Sequence, residues 1–229
     1  MRILLDDLTG RAGTEAGDDD LAALYGVPGD AASWLRVNFV ATLDGAATGG
    51  DGRSGSINTE ADHRVFALLR ELADALVVGA GTLRVEGYRP AEKPIVVVSR
   101  RGDVPERLRD AAPGSVLMAT WPGAEGLPRA RSVLGPEHVV VTGESEVDLR
   151  ELRQVLLGRG MGSLLCEGGP HLFWSLLAAG VVDEVDLTLS PLLVADGGPR
   201  ITAGGPLEVP LTPKLLLEEE GSVLGRWLR

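Results

Sequence analysis

The chain has 229 residues, 44% of them hydrophobic, enough for one large domain or two small ones with a proper core. Its 33 acidic and 22 basic residues give a formal net charge of −11, which repels nucleic acid and anionic membranes, and no leader or membrane-length apolar run is evident, so a cytoplasmic protein is expected. Cys166 is the only cysteine and His63, His138 and His171 fall in separate segments, so an internal disulfide is impossible and no metal site is expected.

Residues 1–33 carry Asp18-Asp19-Asp20 and several Gly and Pro residues, and read as an irregular, solvated peripheral arm with one short helix near Leu21 to Tyr25. The domain proper is expected over residues 34–229. Trp34 to Thr42, rich in β-branched and aromatic residues, reads as a strand ending at the turn Leu43-Asp44-Gly45, and the polar loop Ala46 to Asn58 follows. Thr59-Glu60-Ala61-Asp62 is a capping-box pattern, and Val65, Phe66, Leu68, Leu69 and Leu72 recur at helical spacing behind it, predicting a helix to about Ala73. Ala75 to Val78 and Ile95 to Val98 are buried-strand runs closed by Gly79-Ala80-Gly81-Thr82 and Ser99-Arg100-Arg101-Gly102, with weaker strand signals at Val116 to Thr120 and His138 to Thr142. Asp148 caps a helix with Leu149, Leu152, Val155 and Leu156 on one face, and Glu184 to Leu189 is a strand ending at Ser190-Pro191. Lys214 to Glu219 and Val223 to Arg229 flank a turn at Glu220-Gly221 and make a terminal hairpin. Alternating strands and helices followed by a hairpin predict an α/β fold: a mainly parallel sheet with helices on both faces and an antiparallel edge, its ligands bound beyond the carboxyl ends of the strands.

The stretch Ser163 to Ala179 is where chemistry is expected. An apolar strand, Leu164 to Cys166, leads through Glu167-Gly168-Gly169 into a helix opened by Pro170. Adjacent glycines leave bare backbone for a ligand, and the helix end presents unpaired N–H groups, the recipe for a phosphate site or for an ordinary strand-to-helix turn. Glu167 beside an anion site would repel the cofactor, so it is expected to face the substrate. Gly79-Ala80-Gly81-Thr82-Leu83-Arg84 is a weak Rossmann signal, since Arg84 stands at the third glycine position. At the next strand end a hydroxyl and a guanidinium, Ser99 and Arg100, suit a 2′-phosphate, which points to NADP over NAD; a solvated basic turn is the alternative. Asp44 is either a group that orients a polar substrate or a turn aspartate bonding its own backbone. Periodicity makes Arg70 a surface charge, and Phe173 and Trp174 core.

With Thr42-Leu43-Asp44-Gly45, Ser54 to Thr59, Leu68-Leu69-Arg70, Gly79-Ala80-Gly81-Thr82, Glu167-Gly168-Gly169-Pro170 and Ser190-Pro191-Leu192 in this order, the chain resembles the reductase domain of the bifunctional riboflavin-biosynthesis deaminase/reductase, a dihydrofolate reductase-like fold, over roughly Trp34 to Arg229. The resemblance implies a stand-alone, three-layer α/β/α reductase, commonly a homodimer, that uses NADPH to reduce the ribosyl group of 5-amino-6-(5-phosphoribosylamino)uracil to ribityl. It implies cofactor contacts from Ala41, Ser56, Thr82, Ser99 and the run Gly168, Gly169, Pro170, His171, Leu172, Phe173, Trp174 and Ser175, to which the strand-end chemistry adds Arg100. Substrate contacts are implied for Ser54, Arg70 and Glu167, with Asp44 and Glu167 as the catalytic pair. One segment departs from the family pattern: where an Asp-Asn/Asp-Pro motif and a phosphate-holding arginine are usual, the chain reads Val85-Glu86-Gly87-Tyr88-Arg89-Pro90, with Arg89 or Lys93 as substitutes. That departure keeps open a dihydropterin- or dihydrofolate-type substrate, and a non-catalytic nucleotide-binding protein.

Overall fold

The structure is a computed structural model, described here for residues 1–195 and 198–229. In chain order its elements are β1 (Arg2–Asp6), α1 (Asp18–Leu24), β2 (Trp34–Thr42), α2 (Glu60–Leu72), β3 (Ala75–Gly79), α3 (Ala80–Glu86), β4 (Ile95–Val98), β5 (Val116–Thr120), α4 (Leu127–Leu134), β6 (Val139–Val141), α5 (Leu149–Gly158), β7 (Ser163–Cys166), α6 (Pro170–Ala179), β8 (Glu184–Ser190), β9 (Thr212–Glu219) and β10 (Ser222–Leu228). Ten strands form one sheet in the order β1-β9-β10-β8-β2-β7-β3-β4-β5-β6. From β8 to β6 every pairing is parallel, while β10 on β8, β9 on β10 and β1 on β9 are antiparallel.

Side-chain alternation in the strands divides the core into the two apolar layers of an α/β/α stack. Leu76, Val78, Ile95, Val97, Val116 and Met118 point to the face covered by Leu69 of α2, Leu83 of α3 and Leu127 and Ala130 of α4. Ala75, Val77, Val96, Leu117, Ala119 and Cys166 point to the other, against Leu149, Leu152 and Leu156 of α5 and Leu172, Phe173 and Leu176 of α6. β7 lies between β2 and β3, so the chain leaves β3 in one direction and β7 in the other, and α3 and α6 begin on either side of that division. A crevice at the carboxyl ends of the strands follows from this topology.

Two expectations are corrected. Residues 1–33 are not an irregular solvated arm: β1 pairs with β9, Ile3 is fully buried, and Leu21, Leu24 and Tyr25 join the core. What holds α1 down is buried charge. Arg36 donates to the Tyr25 carbonyl at 2.8 Å and Arg226 to the carbonyls of Leu24 and Gly26, satisfying the helix C-terminus, while Arg226 also pairs with Glu184 at 2.9 Å. Nor does the C-terminal hairpin offer a free edge for a second copy, because β1 covers β9 and β8 covers β10. Among the described residues no helix is long and apolar enough to cross a membrane.

Ile3→Ala, silent in a solvated tail, is expected to lower unfolding stability by about 2–5 kcal/mol, the usual range for emptying a buried aliphatic site. A denaturant titration whose midpoint did not move would return residues 1–6 to the periphery.

Candidate active site

Beyond the ends of β2, β3, β4 and β7 lies a cavity of about 1420 Å³. Single small-molecule sites run to about 300–1,000 Å³, so this one has room for two ligands. The turn from β7 into α6 forms one wall, and its glycines are dictated by close approach. Gly168 sits at φ +83°, and a Cβ there would lie 2.7 Å from Cζ of Phe39; a Cβ on Gly169 would lie 2.3 Å from Oγ1 of Thr82. The Gly168–Gly169 peptide is cis, and the Gly168 carbonyl accepts from Gly79 N–H at 2.8 Å, locking this turn to the one between β3 and α3. Pro170 then opens α6, whose N-terminus has no side-chain cap. The next wall is the turn after β4. Ser99 is buried, its Oγ accepts from Gly102 N–H at 3.0 Å, and Arg100 and Arg101 follow it on the lining. With Arg84, Arg107, Arg109 and Arg129, six guanidinium-bearing residues line the cavity of a protein whose net charge is −11.

The other end is organised by α2. Asp62, Phe66 and Arg70 recur at intervals of four and share one stripe of the helix. Arg70 makes a forked pair with Glu167, Nε to Oε1 at 2.6 Å and Nη2 to Oε2 at 2.7 Å, and its guanidinium lies 4.4 Å from the Phe66 ring centroid. The Tyr88 hydroxyl donates to Glu167 Oε2 at 2.6 Å. Burial disfavours the Arg70 charge, but the hydrogen bond and charge of Glu167 outweigh it and the pKa is raised. Burial and then the Glu167 charge push the Tyr88 phenol well above its ordinary value, so it stays a neutral donor. Glu167 is thereby fixed in place, with Oε2 filled and one lone-pair site on Oε1 left over for a ligand.

The residues expected from sequence divide accordingly. Glu167, Ser54, Thr82, Ser99, Arg100, Gly169, Pro170, His171, Leu172, Trp174 and Ser175 line the cavity. Gly168 packs on Phe39, and Phe173 stacks on the same ring with centroids 5.3 Å apart, so both lie behind the wall. Ala41 is buried in β2, and Ser56 is exposed and bonded to Asp51 and the Arg53 carbonyl; neither is on the lining. Arg70 acts through Glu167 and is not itself on the lining. Asp44 takes the turn role. Exposed and off the lining, it accepts from the Thr42 hydroxyl and from N–H of Ala195 at 2.7 Å and of Val194 at 3.4 Å, bonds that hold its pKa low, the Thr42 bond foremost. Such a carboxylate is a poor acid. Arg89 is exposed and off the lining, and Lys93 donates to the Glu71 carbonyl, so neither replaces the phosphate-holding arginine. Tyr88 and Asp62 were not anticipated. The stripe Asp62-Phe66-Arg70 was readable as a period of four, but a charged residue at either end of an amphipathic helix is usually solvated.

Residues 33–222 match the RibD C-terminal domain family. The chain belongs to that family. A 2,5-diamino-6-ribosylamino-4(3H)-pyrimidinone 5′-phosphate reductase of Methanothermobacter thermautotrophicus is 32% identical over 185 residues, 75% of this chain and 84% of that protein. The riboflavin biosynthesis protein RibD of Chlamydia trachomatis is 32% identical over 169 residues, 65% of this chain and 44% of that protein, so the RibD domain here corresponds to under half of it. Among solved structures, a pyrimidine reductase-like protein of Corynebacterium diphtheriae superposes with a TM-score of 0.79 at 22% identity, covering 91% of this chain and 97% of that one. That likeness confirms the three-layer architecture of the RibD domain.

Gly168→Ala forces a Cβ onto a phenyl ring already stacked on Phe173, in a backbone conformation that L side chains avoid. It is expected to cost about 1–3 kcal/mol of stability and to weaken binding at the cavity wall. Thermal melting and ligand titration of the variant check both.

Proposed function

We propose that this chain is an NADPH-dependent reductase of riboflavin biosynthesis that converts the ribosyl group of a phosphoribosylaminopyrimidine to ribityl. The observation that carries the reading is the Glu167 carboxylate, fixed by Arg70 and Tyr88, at one end of a cavity whose other end is lined by arginines and the Ser99 turn. The residues fit a phosphorylated dinucleotide. Guanidinium groups gathered in an acidic protein, a buried serine at a strand end and an uncapped helix N-terminus are the donors that a 2′-phosphate and a pyrophosphate require. Ser99 and Arg100 would hold the former, and Gly169 to His171 with Thr82 the latter.

The carboxylate also bears on which pyrimidine is bound. A 2,5-diamino-4(3H)-pyrimidinone presents N3–H with the 2-amino group beside it, so either donor can take the one lone-pair site that Glu167 has left on Oε1 while the other still faces the carboxylate's negative charge. A uracil replaces the 2-amino group with a carbonyl, which a carboxylate repels. The diamino form, named for the Methanothermobacter relative, is therefore favoured over the 5-amino-6-(5-phosphoribosylamino)uracil that the sequence alone suggested. The uracil remains the second reading, because the chain also matches RibD proteins. The bound cofactor supplies the hydride. The chain's part is to orient the pyrimidine at Glu167, keep that carboxylate from turning, and enclose the ribose between α2 and the end of β2.

NADPH at a hundredfold excess over Kd is expected to add about 2.7 kcal/mol of stability, visible as a raised melting temperature, while NADH adds much less. Oxidation of NADPH should be fastest with the diaminopyrimidinone phosphate, slower with the uracil, and absent with dihydrofolate. Equal shifts with both cofactors would remove the assignment of Ser99 and Arg100, and turnover with neither pyrimidine would remove the reductase. Glu167→Gln should lose about 10- to 100-fold in kcat/KM, the worth of a hydrogen bond to a charged group, with NADPH affinity little changed.

A further inference from the structure

Asp62 stands in the first turn of α2, 3% exposed, on the lining of the cavity, with its Oδ1 lacking any hydrogen-bond partner. An acidic residue at this position of a capping box ordinarily turns back to take the N–H of the cap residue. Here that N–H, on Thr59, is taken by Asn58 Oδ1 at 2.7 Å, and only the other half of the box forms, Thr59 Oγ1 accepting from Asp62 N–H at 3.3 Å. The carboxyl is thus released from its usual capping task, and its hydrogen bonds go instead to the side chains of Thr188 and Asn58, which leaves Oδ1 without one. It lies on the same stripe of α2 as Phe66 and Arg70, at the end of the cavity where Asn38, Ser54 and Glu167 also stand. An unpartnered, buried polar group costs free energy unless a ligand completes it.

We infer that Asp62 is the catalytic acid of this site, donating its proton to the ribose ring oxygen of the aminopyrimidine substrate. The inference rests on the reductase reading above. Reduction of a ribosylamine at C1 needs one hydride and one proton. The exocyclic nitrogen lone pair forms C=N as the bond from C1 to the ring oxygen breaks, and that oxygen leaves as a hydroxyl carrying the proton from Asp62. C1 would then accept the hydride that a bound nicotinamide supplies, giving the ribityl amine, and the Asp62 carboxylate would regain a proton from solvent. Glu167 is unsuited to this step because Arg70 and Tyr88 already occupy it, and Asp44 because it is off the cavity lining and bonded to Thr42, Val194 and Ala195. Burial pushes the Asp62 carboxyl above its ordinary value, and Thr188, His63 and Asn58 offset this only in part. The ionisable groups disposed around it are His63 on its own helix, Glu86, Tyr88 and the Glu167–Arg70 pair about the cavity, and Asp186 on the same face of β8 as Thr188.

The test is Asp62→Asn, which keeps size and polarity but has no proton to give. Expected is a fall in kcat of about 10²- to 10⁴-fold with the diaminopyrimidinone phosphate, KM and NADPH affinity changing little. In the wild type kcat should decline as pH rises through the Asp62 pKa, and that limb should be missing from the variant. Independently of turnover, the infrared difference spectrum of wild type minus variant, followed as a function of pH, should show the carbonyl band of a protonated carboxylic acid that persists to higher pH than that of an exposed aspartate and fades along the same limb. A raised KM with unchanged kcat would make Asp62 a binder of sugar hydroxyls and overturn the inference, as would an unaltered pH profile or the absence of that band. Were the wild type itself inactive on the pyrimidine while the band was present, the failure would lie with the substrate reading and not with the protonated acid.

Discussion

The forked pair between Arg70 and Glu167 is the constraint on which the site depends. Arg70 comes from the last turn of α2 and Glu167 from the residue after β7, and Tyr88, beyond α3, closes the cluster. Three segments separated by 79 and 97 positions in sequence are therefore bound at one carboxylate. The Glu167 side chain is 2% exposed and that of Arg70 is 34% exposed, so one partner is desolvated while the other stays partly in water. That asymmetry suits a ligand-binding carboxylate. Full burial of both would cost more than the pair returns, and full exposure would let the side chains wander and the Coulomb energy be screened.

The same division of labour runs along the whole cavity. The end lined by arginines is built from backbone turns and guanidinium side chains, Arg107 and Arg109 among them bonded to the carbonyls of Gly87 and Val104, and would need only to bring positive charge near an anion. The end around Glu167 is built from side chains fixed by packing and by one another. In a protein with eleven negative charges in excess, the arginine end supplies the local field that an anionic cofactor needs. The glycines of the β7–α6 turn serve both ends, because Gly169 borders the cavity while Gly168 lets the turn settle on the Phe39 and Phe173 rings.

Much of this was legible in the sequence where local chemistry and global role agree. The apolar runs of β2, β3, β4 and β8, the capped starts of α2 and α5, and the hairpin of β9 and β10 each carry their own signal, and the structure places them as expected. Where the two conflict, sequence reading fails. Asp18-Asp19-Asp20 reads as a solvated run, yet it is the acidic first turn of α1, a helix whose Leu21 and Leu24 are core and whose far end is tied down by Arg36 and Arg226 from strands distant in sequence. β1 has too few residues to show alternation. Asp44 illustrates an ambiguity that no motif resolves, since an aspartate at a strand end looks alike whether it bonds its own turn or aims at a substrate, and only the Val194 and Ala195 N–H groups decide it.

The segment from Val85 to Pro90 shows how a missing motif is made good by different means. α3 ends at Gly87, in the left-handed region at φ +72°, and the N–H groups of Gly87 and Tyr88 both return to the Leu83 carbonyl. That reversal turns Tyr88 back toward Glu167, while Arg107 caps the Gly87 carbonyl at 3.0 Å. One residue before Gly87, Glu86 Oε1 accepts from both the N–H and the hydroxyl of Ser54 at 3.1 Å, fastening the loop after β2 over the cavity. An acid followed by a small residue and an aromatic thus joins α3 to the loop and to the central carboxylate. Positive charge for a substrate phosphate has to come from another part of the wall, and Arg84, one turn before Gly87 and on the cavity lining, is the guanidinium that the end of α3 offers. The carboxylate is held by a forked pair of fixed geometry, as suits orientation of a heterocycle, whereas a phosphate is served by any nearby cation.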